Sequence, residues 1–169
     1  MKRWQGMLLW AVTLLVLGVV NLLIFQKEQL IANGQTIFLE LAPVDPRSLI
    51  QGDYMTLRYR LVQNINVDEL PPDGYLVVKL DERNIATFVR VHDPQVALAP
   101  DERLIRYRRR NGDIRLGAES FFFQEGHAEY YSKARYAELR LAESGETVLV
   151  GLRGPELEVL GPPPDDQAQ

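Results

Sequence analysis

The chain has 169 residues, of which 46% are hydrophobic and 25% are charged, and this balance suits one globular domain with an appended segment. Its formal net charge of −4 at neutral pH disfavours nucleic acid as a partner, because nucleic-acid-binding domains present a basic surface. The sequence contains no cysteine, which excludes disulfide bonds, thiol catalysis and cysteine-ligated metal.

An uncharged stretch, MLLWAVTLLVLGVVNLLIF, runs from Met7 to Phe25. As a helix rising ~1.5 Å per residue it spans roughly 28 Å, close to the ~30 Å hydrocarbon core of a bilayer. We therefore predict a transmembrane anchor within residues 1–34, with the lipid bilayer contacted through Met7 to Phe25 and Gly34 ending the helix.

Two alternatives to an anchor are a buried core helix and a cleaved signal peptide. The segment is apolar on every side, which disfavours a helix that packs one face on a small core. It is also longer than the roughly 7 to 15 apolar residues of a signal peptide, although Ala32-Asn33-Gly34 would pass as a cleavage site.

The charges that flank the span indicate its orientation. Lys2 and Arg3 precede it, whereas Lys27 on the far side is offset by Glu28. Because Lys and Arg collect on the cytoplasmic side, we expect a single-pass protein of the cytoplasmic membrane with its N-terminus inside and its main domain extracytoplasmic.

Residues 35–160 read as short strands joined by turn residues, and the tail 161–169 lacks apolar side chains and is expected to be disordered. Alternation and flanking turn residues predict strands at Thr36–Leu41, Tyr54–Leu61, Tyr75–Leu80, Ile85–Val91, Arg103–Arg110, Asp113–Ala118, Tyr136–Leu141 and Thr147–Leu152.

Turn and helix signals complete the predicted fold. Asn111-Gly112 suits a two-residue type I′ hairpin turn, Ser144-Gly145 separates a second hairpin, and only Gly126–Ala134 predicts a helix in this part of the chain. The fold class is therefore mainly β (α+β): an N-terminal transmembrane helix followed by a compact antiparallel β domain, barrel-like or a sandwich, with one short helix.

The stretch DPRSLIQGDYMTLRY, Asp45 to Tyr59, is either a catalytic loop or a structural corner. Gly52 is expected to supply a positive φ or a close backbone approach, and Asp53 to accept hydrogen bonds from turn amides. The alternation places Leu57 and Tyr59 in the core and Tyr54 on the other face. Nothing in this pattern requires catalysis, so we interpret the stretch as a corner.

The same residues carry a family resemblance. Gly52-Asp53-Tyr54, Leu57 and Tyr59 spell GDYxxLxY, and the chain resembles the membrane-anchored GDYXXLXY protein family. The preceding Ala42 to Arg47 is similar to that family's lead-in, and a second block is similar at Phe122, Phe123, Gln124, Glu125 and Gly126 with Tyr130. The resemblance covers most of residues 42–152.

The resemblance implies a bacterial protein with a single membrane span and an exported domain, and an association or fusion of related proteins with multi-span membrane domains. It implies no activity. Its residues are therefore treated as structural family markers, and we expect a non-catalytic accessory or interaction domain for an integral-membrane partner.

A membrane-tethered serine hydrolase is the alternative, with Ser48 and Lys79 as a dyad distantly similar to type I signal peptidases. Such a lysine must have a lowered pKa and lie within hydrogen-bond reach of the serine. The Ser-Met-x-Pro sequence of that family is absent, since Ser48 is followed by Leu49-Ile50-Gln51, and Lys79 lies close to Asp81. These departures disfavour the dyad.

Neither a metal nor a cofactor is expected. The two histidines, His92 and His127, have nearby carboxylates, but His127 and Glu129 are two positions apart and do not share a helix face. Each histidine is interpreted as a solvated side chain.

Arginine is concentrated in one predicted hairpin, which contains Arg103, Arg106, Arg108, Arg109, Arg110 and Arg115. The favoured interpretation is a solvated edge hairpin that charge protects from edge-to-edge pairing. The functional alternative is contact of Arg106, Arg108, Arg109 and Arg110 with anionic headgroups or an acidic partner surface.

Overall fold

The computed structural model describes residues 3–42 and 54–162, and the chain divides between Gly34 and Gln35 into two compact units. The first unit is the helix α1, Arg3–Asn33. Its stretch Trp4–Asn33 is long and apolar enough to cross a membrane.

The two polar side chains within the apolar stretch Met7–Phe25 bond to the helix itself. Thr13 Oγ1 donates to the Leu9 carbonyl at 2.9 Å, and Asn21 Nδ2 donates to the Leu17 carbonyl at 2.8 Å. Such internal bonds are what a lipid environment requires, because the hydrocarbon offers polar groups no partner.

The second unit contains nine strands and a short helix among the described residues. The strands are β1 Gln35–Glu40, β2 Tyr54–Thr56, β3 Asp73–Leu80, β4 Ala86–Val91, β5 Glu102–Arg110, β6 Asp113–Arg115, β7 Ser120–Phe122, β8 Tyr136–Leu141 and β9 Thr147–Arg153, and the helix is α2, Ala128–Tyr131. They form three antiparallel sheets with strand orders β1-β8-β9, β2-β7 and β4-β3-β5-β6. The predicted fold class is confirmed.

Isolated contacts join the three sheets around a common core. Phe38 of β1 bridges Ile85 beside β4, and Leu41 bridges Tyr59. The Gly145 carbonyl, in the turn between β8 and β9, accepts a hydrogen bond of 2.8 Å from the Arg106 amide of β5. The inward side chains of alternate strand positions fill the enclosed space, among them Ile37, Leu39, Leu76, Val78, Ile105, Tyr107, Leu116, Leu139 and Leu152.

Both predicted hairpin turns have the expected backbone. Asn111 and Gly112 have φ of 52° and 78°, so both central residues lie in the left-handed region that a type I′ turn requires. Gly145 has φ of 83° in the second hairpin.

The prediction of one continuous strand from Tyr54 to Leu61 is wrong. Strand β2 ends at Thr56, and a 3-10 turn covers Arg60–Val62. The chain changes partners between these elements: the Leu57 amide donates to the Glu119 carbonyl, whereas the Arg58 carbonyl accepts from the Ala42 amide. Buried and exposed side chains continue to alternate from Met55 to Tyr59, so the sequence pattern does not reveal where the strand ends.

Two other predicted boundaries need correction, and one strand was missed. Strand β6 stops at Arg115 instead of Ala118, because Gly117 has φ of 107° and turns the chain. The helix predicted over Gly126–Ala134 is only the single turn α2. Strand β7 has three residues, too few for a period-two pattern to be visible.

Candidate functional site

The two sequence blocks that carry the family resemblance are adjacent in the fold. Strands β2 and β7 pair so that Tyr54 faces Phe122, Met55 faces Phe121 and Thr56 faces Ser120. On the outer side the rings of Tyr54 and Phe122 lie 5.7 Å apart. Residues separated by more than sixty positions in the chain thus form one small sheet.

The last two fixed residues of the first block, Leu57 and Tyr59, lie in the core, as predicted. The side chains of Leu57 and Tyr59 are 4% and 3% exposed. The Tyr59 hydroxyl donates to the Ala118 carbonyl at 2.5 Å, which ties the first block to the turn before β7. Burial, and secondarily the negative charge of Glu119, raise the pKa of Tyr59 well above its usual range, so the phenol stays neutral.

The second block contributes Phe123 to an aromatic cluster that also contains Phe121 and Tyr131. The ring of Tyr131 in α2 lies 4.9 Å from that of Phe121 and 5.4 Å from that of Phe123. Gly126 has φ of 84°, a conformation that suits glycine at the turn leading to α2, and Glu125 is exposed. Gly52, Asp53 and Ser48 lie outside the described residues.

A groove of about 570 Å³ opens beside these blocks. One wall comes from the segment Thr56–Tyr59, and another comes from the tip of the β5–β6 hairpin, residues Gly112–Arg115. Glu119 and Ser120 close one side, and the side opposite is apolar, with Val62, Ile65 and Val67. The groove thus combines apolar side chains with polar and charged ones, and ligand sites use polar groups to fix the orientation of what they bind.

The polar groups of the groove are poorly paired. Glu119 Oε1 is buried and has no hydrogen-bond partner in the part of the chain that the structure describes. Arg58 and Arg115 also line the groove, and both are exposed and form no ion pair with a described residue. The charged groups that line the groove are thus the carboxylates of Asp113 and Glu119 and the two guanidinium groups.

Neither the groove nor Glu119 was predicted from the sequence. The available signal was weak: one acidic residue, Glu119, stands two positions before the aromatic run Phe121–Phe123. Its burial depends on Tyr59 and the segment around it, which are distant in the sequence.

Lys79, the proposed general base of the hydrolase alternative, is exposed on β3. Its ammonium group lies 2.7 Å from Asp101 Oδ2. The hydrogen bond and the charge of Asp101 raise the pKa of Lys79, whereas a general base needs a lowered one.

The hairpin arginines divide between two faces of the sheet. Arg106, Arg108 and Arg110 alternate with Tyr107 and Arg109 along β5. Arg109 turns to the other side, where its guanidinium donates to the Val67 carbonyl at 3.0 Å and so holds the loop that forms the apolar side of the groove. Its role in the fold is structural.

The three arginines on the other face of β5, Arg106, Arg108 and Arg110, are partly balanced by acidic residues. Arg108 is opposite Asp73 on one side and Arg115 on the other, and Arg110 is opposite Asp113. Arg106 lies 3.9 Å from Glu146. This pattern resembles a solvated hairpin more than a concentrated anion site.

The histidines lie against aromatic rings. His92 is 6.2 Å from the ring of Tyr75, and His127 is 5.5 Å from that of Tyr130. Within residues 3–42 and 54–162, no group of three potential metal ligands comes together.

Comparison with known proteins gives one match. The family model described as GDYXXLXY protein matches residues 16–152, which is most of the chain and includes both sequence blocks. No curated protein and no solved structure matches the chain.

Proposed function

The chain belongs to the GDYXXLXY protein family, and from that premise we propose that it is a membrane-anchored accessory protein whose extracytoplasmic β domain binds an integral-membrane partner. The observation that carries this proposal is the groove of about 570 Å³ between the segment Thr56–Tyr59 and the β5–β6 hairpin. The first family block supplies the part of its wall from Thr56 to Tyr59.

The chemistry of the groove supports binding more than catalysis. A nucleophile needs an adjacent base, and a general acid or base needs a pKa near the working pH. Tyr59 is held neutral with its proton donated to the Ala118 carbonyl. The charged side chains that line the groove, Arg58, Asp113, Arg115 and Glu119, are suited to charge pairing with a ligand.

The anchor adds to the effect of a modest groove. Anchorage in the same membrane confines the domain and its partner to one surface, which raises their local concentration and favours association through weak contacts, as tethering does. Lys2 and Arg3 before the span support a cytoplasmic N-terminus, which would leave the groove outside the cytoplasm.

The hydrolase alternative has no specific observation in its favour. Lys79 is ion-paired to Asp101 and its pKa is raised. For that reason the experiment concerns binding.

The test is affinity capture of the tagged full-length protein in mild detergent, with partners identified by mass spectrometry. Thr56→Trp would fill the groove, because Thr56 is exposed and lines it. The matched control is Thr87→Trp, an exposed threonine on β4 away from the groove. We expect a multi-span membrane protein to be captured by the natural chain and by Thr87→Trp, and to be lost from Thr56→Trp.

Equal capture by all three proteins would remove the groove from the proposal. Absence of any membrane protein from all three, at normal levels of the bait, would contradict the accessory function itself.

A further inference from the structure

The carboxylate of Glu119 is the least satisfied group in the groove. Its Oε1 atom is buried, and no described residue donates a hydrogen bond to it. A buried, unpaired carboxylate oxygen is unfavourable, because it loses water without gaining a donor. A site of this kind is complete when a ligand supplies the donor.

Two donors close to Glu119 in the fold, the Tyr59 hydroxyl and the Leu57 amide, bond to backbone carbonyls. The Tyr59 hydroxyl has one proton, and it goes to the Ala118 carbonyl. The Leu57 amide donates to the backbone carbonyl of Glu119, not to its side chain. Neither of these two groups therefore donates to Oε1.

The arginines of the groove need the opposite kind of group. Arg58 and Arg115 line the same groove and form no ion pair with a described residue. Guanidinium groups bind carboxylates in a two-pronged geometry, so a ligand that carries an anionic group would pair with them. The groove is thus complementary to a ligand with both charges.

We propose that the groove binds a short segment of the membrane partner that presents a lysine or arginine side chain to Glu119 and a carboxylate to Arg58 or Arg115. This inference rests on the proposed function and names the chemistry of the same site. The apolar side chains of Val62, Ile65 and Ile114 favour a peptide, because they offer contacts to aliphatic side chains that a polar headgroup lacks.

The experiment uses the full-length protein in phosphatidylcholine nanodiscs with labelled isoleucine methyl groups. Ile65 and Ile114 line the groove and report its occupancy by NMR. The probes are the peptide acetyl-Leu-Lys-Leu-Glu-amide and a matched peptide with glutamine in place of lysine. The protein variants are Glu119→Gln and, as an exposed glutamate outside the groove, Glu125→Gln.

We expect the lysine peptide to shift both methyl signals and Glu119→Gln to weaken its binding by about 10- to 100-fold, as loss of a charged hydrogen bond does. Glu125→Gln should bind like the natural protein. The glutamine peptide should bind weakly, and Glu119→Gln should not weaken it further, which identifies the lysine as the partner of Glu119.

Several results would overturn the inference. Equal binding of the two peptides, or unchanged binding to Glu119→Gln, would show that Glu119 does not pair with the lysine. Methyl shifts produced by ethanolamine phosphate and not by the peptide would replace the peptide with a lipid headgroup.

Partner capture separates this inference from the proposed function. If Glu119→Gln still captures the membrane partner in full, the charge pairing is wrong and the accessory function stands. If the natural protein captures no partner at all, the accessory function fails, and a peptide effect in the nanodiscs would have no biological ligand.

Discussion

Two buried tyrosines of the β domain differ in whether the phenol hydroxyl has a partner. Tyr59 and Tyr107 are 3% and 1% exposed. The Tyr59 hydroxyl donates to the Ala118 carbonyl, whereas the Tyr107 hydroxyl is buried without a partner among the described residues. Replacement of each by phenylalanine therefore tests how the motif tyrosine holds its corner.

Tyr59→Phe should destabilise the domain. It removes a hydrogen bond with a net contribution of about 0.5–1.5 kcal/mol and leaves the Ala118 carbonyl without its donor, a penalty of about 1–3 kcal/mol when the acceptor is buried. Because Ala118 is only half-buried, water replaces part of the loss, and we expect a total of about 1–2 kcal/mol. For a domain of this size that lowers Tm by about 3–6 °C.

Tyr107→Phe is the matched control with the opposite expectation. Its ring packs on Gly74, where an added Cβ would lie 3.0 Å from the ring, so the contacts of the ring are retained in phenylalanine. Only an unsatisfied hydroxyl is removed. We expect no loss of stability, or a gain of up to about 1 kcal/mol.

The assay is urea unfolding of the full-length protein in detergent. Hydrogen exchange of the backbone amides in β5 and β8 is the readout of unfolding. Both tryptophans, Trp4 and Trp10, belong to α1, so tryptophan fluorescence would not report on the β domain. Equal losses of stability in Tyr59→Phe and Tyr107→Phe, or a larger loss in Tyr107→Phe, would refute the role given to the Tyr59 hydrogen bond.

Alkaline pH gives a second readout from the same variants. Burial raises the pKa of both Tyr59 and Tyr107 above the ordinary value of 10.0. A raised pKa means that the fold favours the neutral phenol, so this stability is complete below about pH 10 and is lost as pH rises towards the folded pKa. The unfolding free energy of the natural protein should fall above about pH 10, and each phenylalanine variant should show a smaller fall.

Three further predictions concern the core, the stability at acidic pH and the orientation of the chain in the membrane. Leu57→Ala should cost about 2–5 kcal/mol in urea unfolding, and an unchanged midpoint would show that Leu57 is exposed. The hydrogen bond from Arg90 lowers the pKa of Glu102 from 4.5, so this ion pair stabilises the fold above that pH and the stabilisation is lost as the pH falls. The Tm of Glu102→Gln should therefore fall less on acidification than that of the natural protein. A reporter active only outside the cytoplasm should be active when fused after Leu152, and inactivity would reverse the orientation.

Local chemistry explains which parts of the fold could be predicted from the sequence. The Asn111-Gly112 turn sets its own backbone, and both residues adopt the positive φ that the dipeptide favours. Strands of six residues or more, such as β1 and β8, display enough alternation to be recognised.

The remaining features depend on contacts that are distant in the sequence. Strand β7 exists because β2 pairs with it, and neither strand exceeds three residues. The interruption after Thr56 arises because Leu57 bonds to Glu119 while Arg58 bonds to Ala42. A pattern confined to one segment carries no information on such a change of partner, so the groove beside it could not be predicted.

Two of the three positions that the motif leaves open, Thr56 and Arg58, present exposed side chains to the groove, and the third, Met55, is buried in the core. In GDYMTLRY the fixed letters Leu57 and Tyr59 are buried, while Thr56 and Arg58, which occupy unspecified positions, are exposed and line the groove. Leu57 and Tyr59 thus hold the corner together with Met55, whereas Thr56 and Arg58 are exposed at the groove. If the groove binds a partner segment, exchange of Thr56 and Arg58 should change which segment binds while the stability of the corner stays the same, because neither side chain belongs to the core.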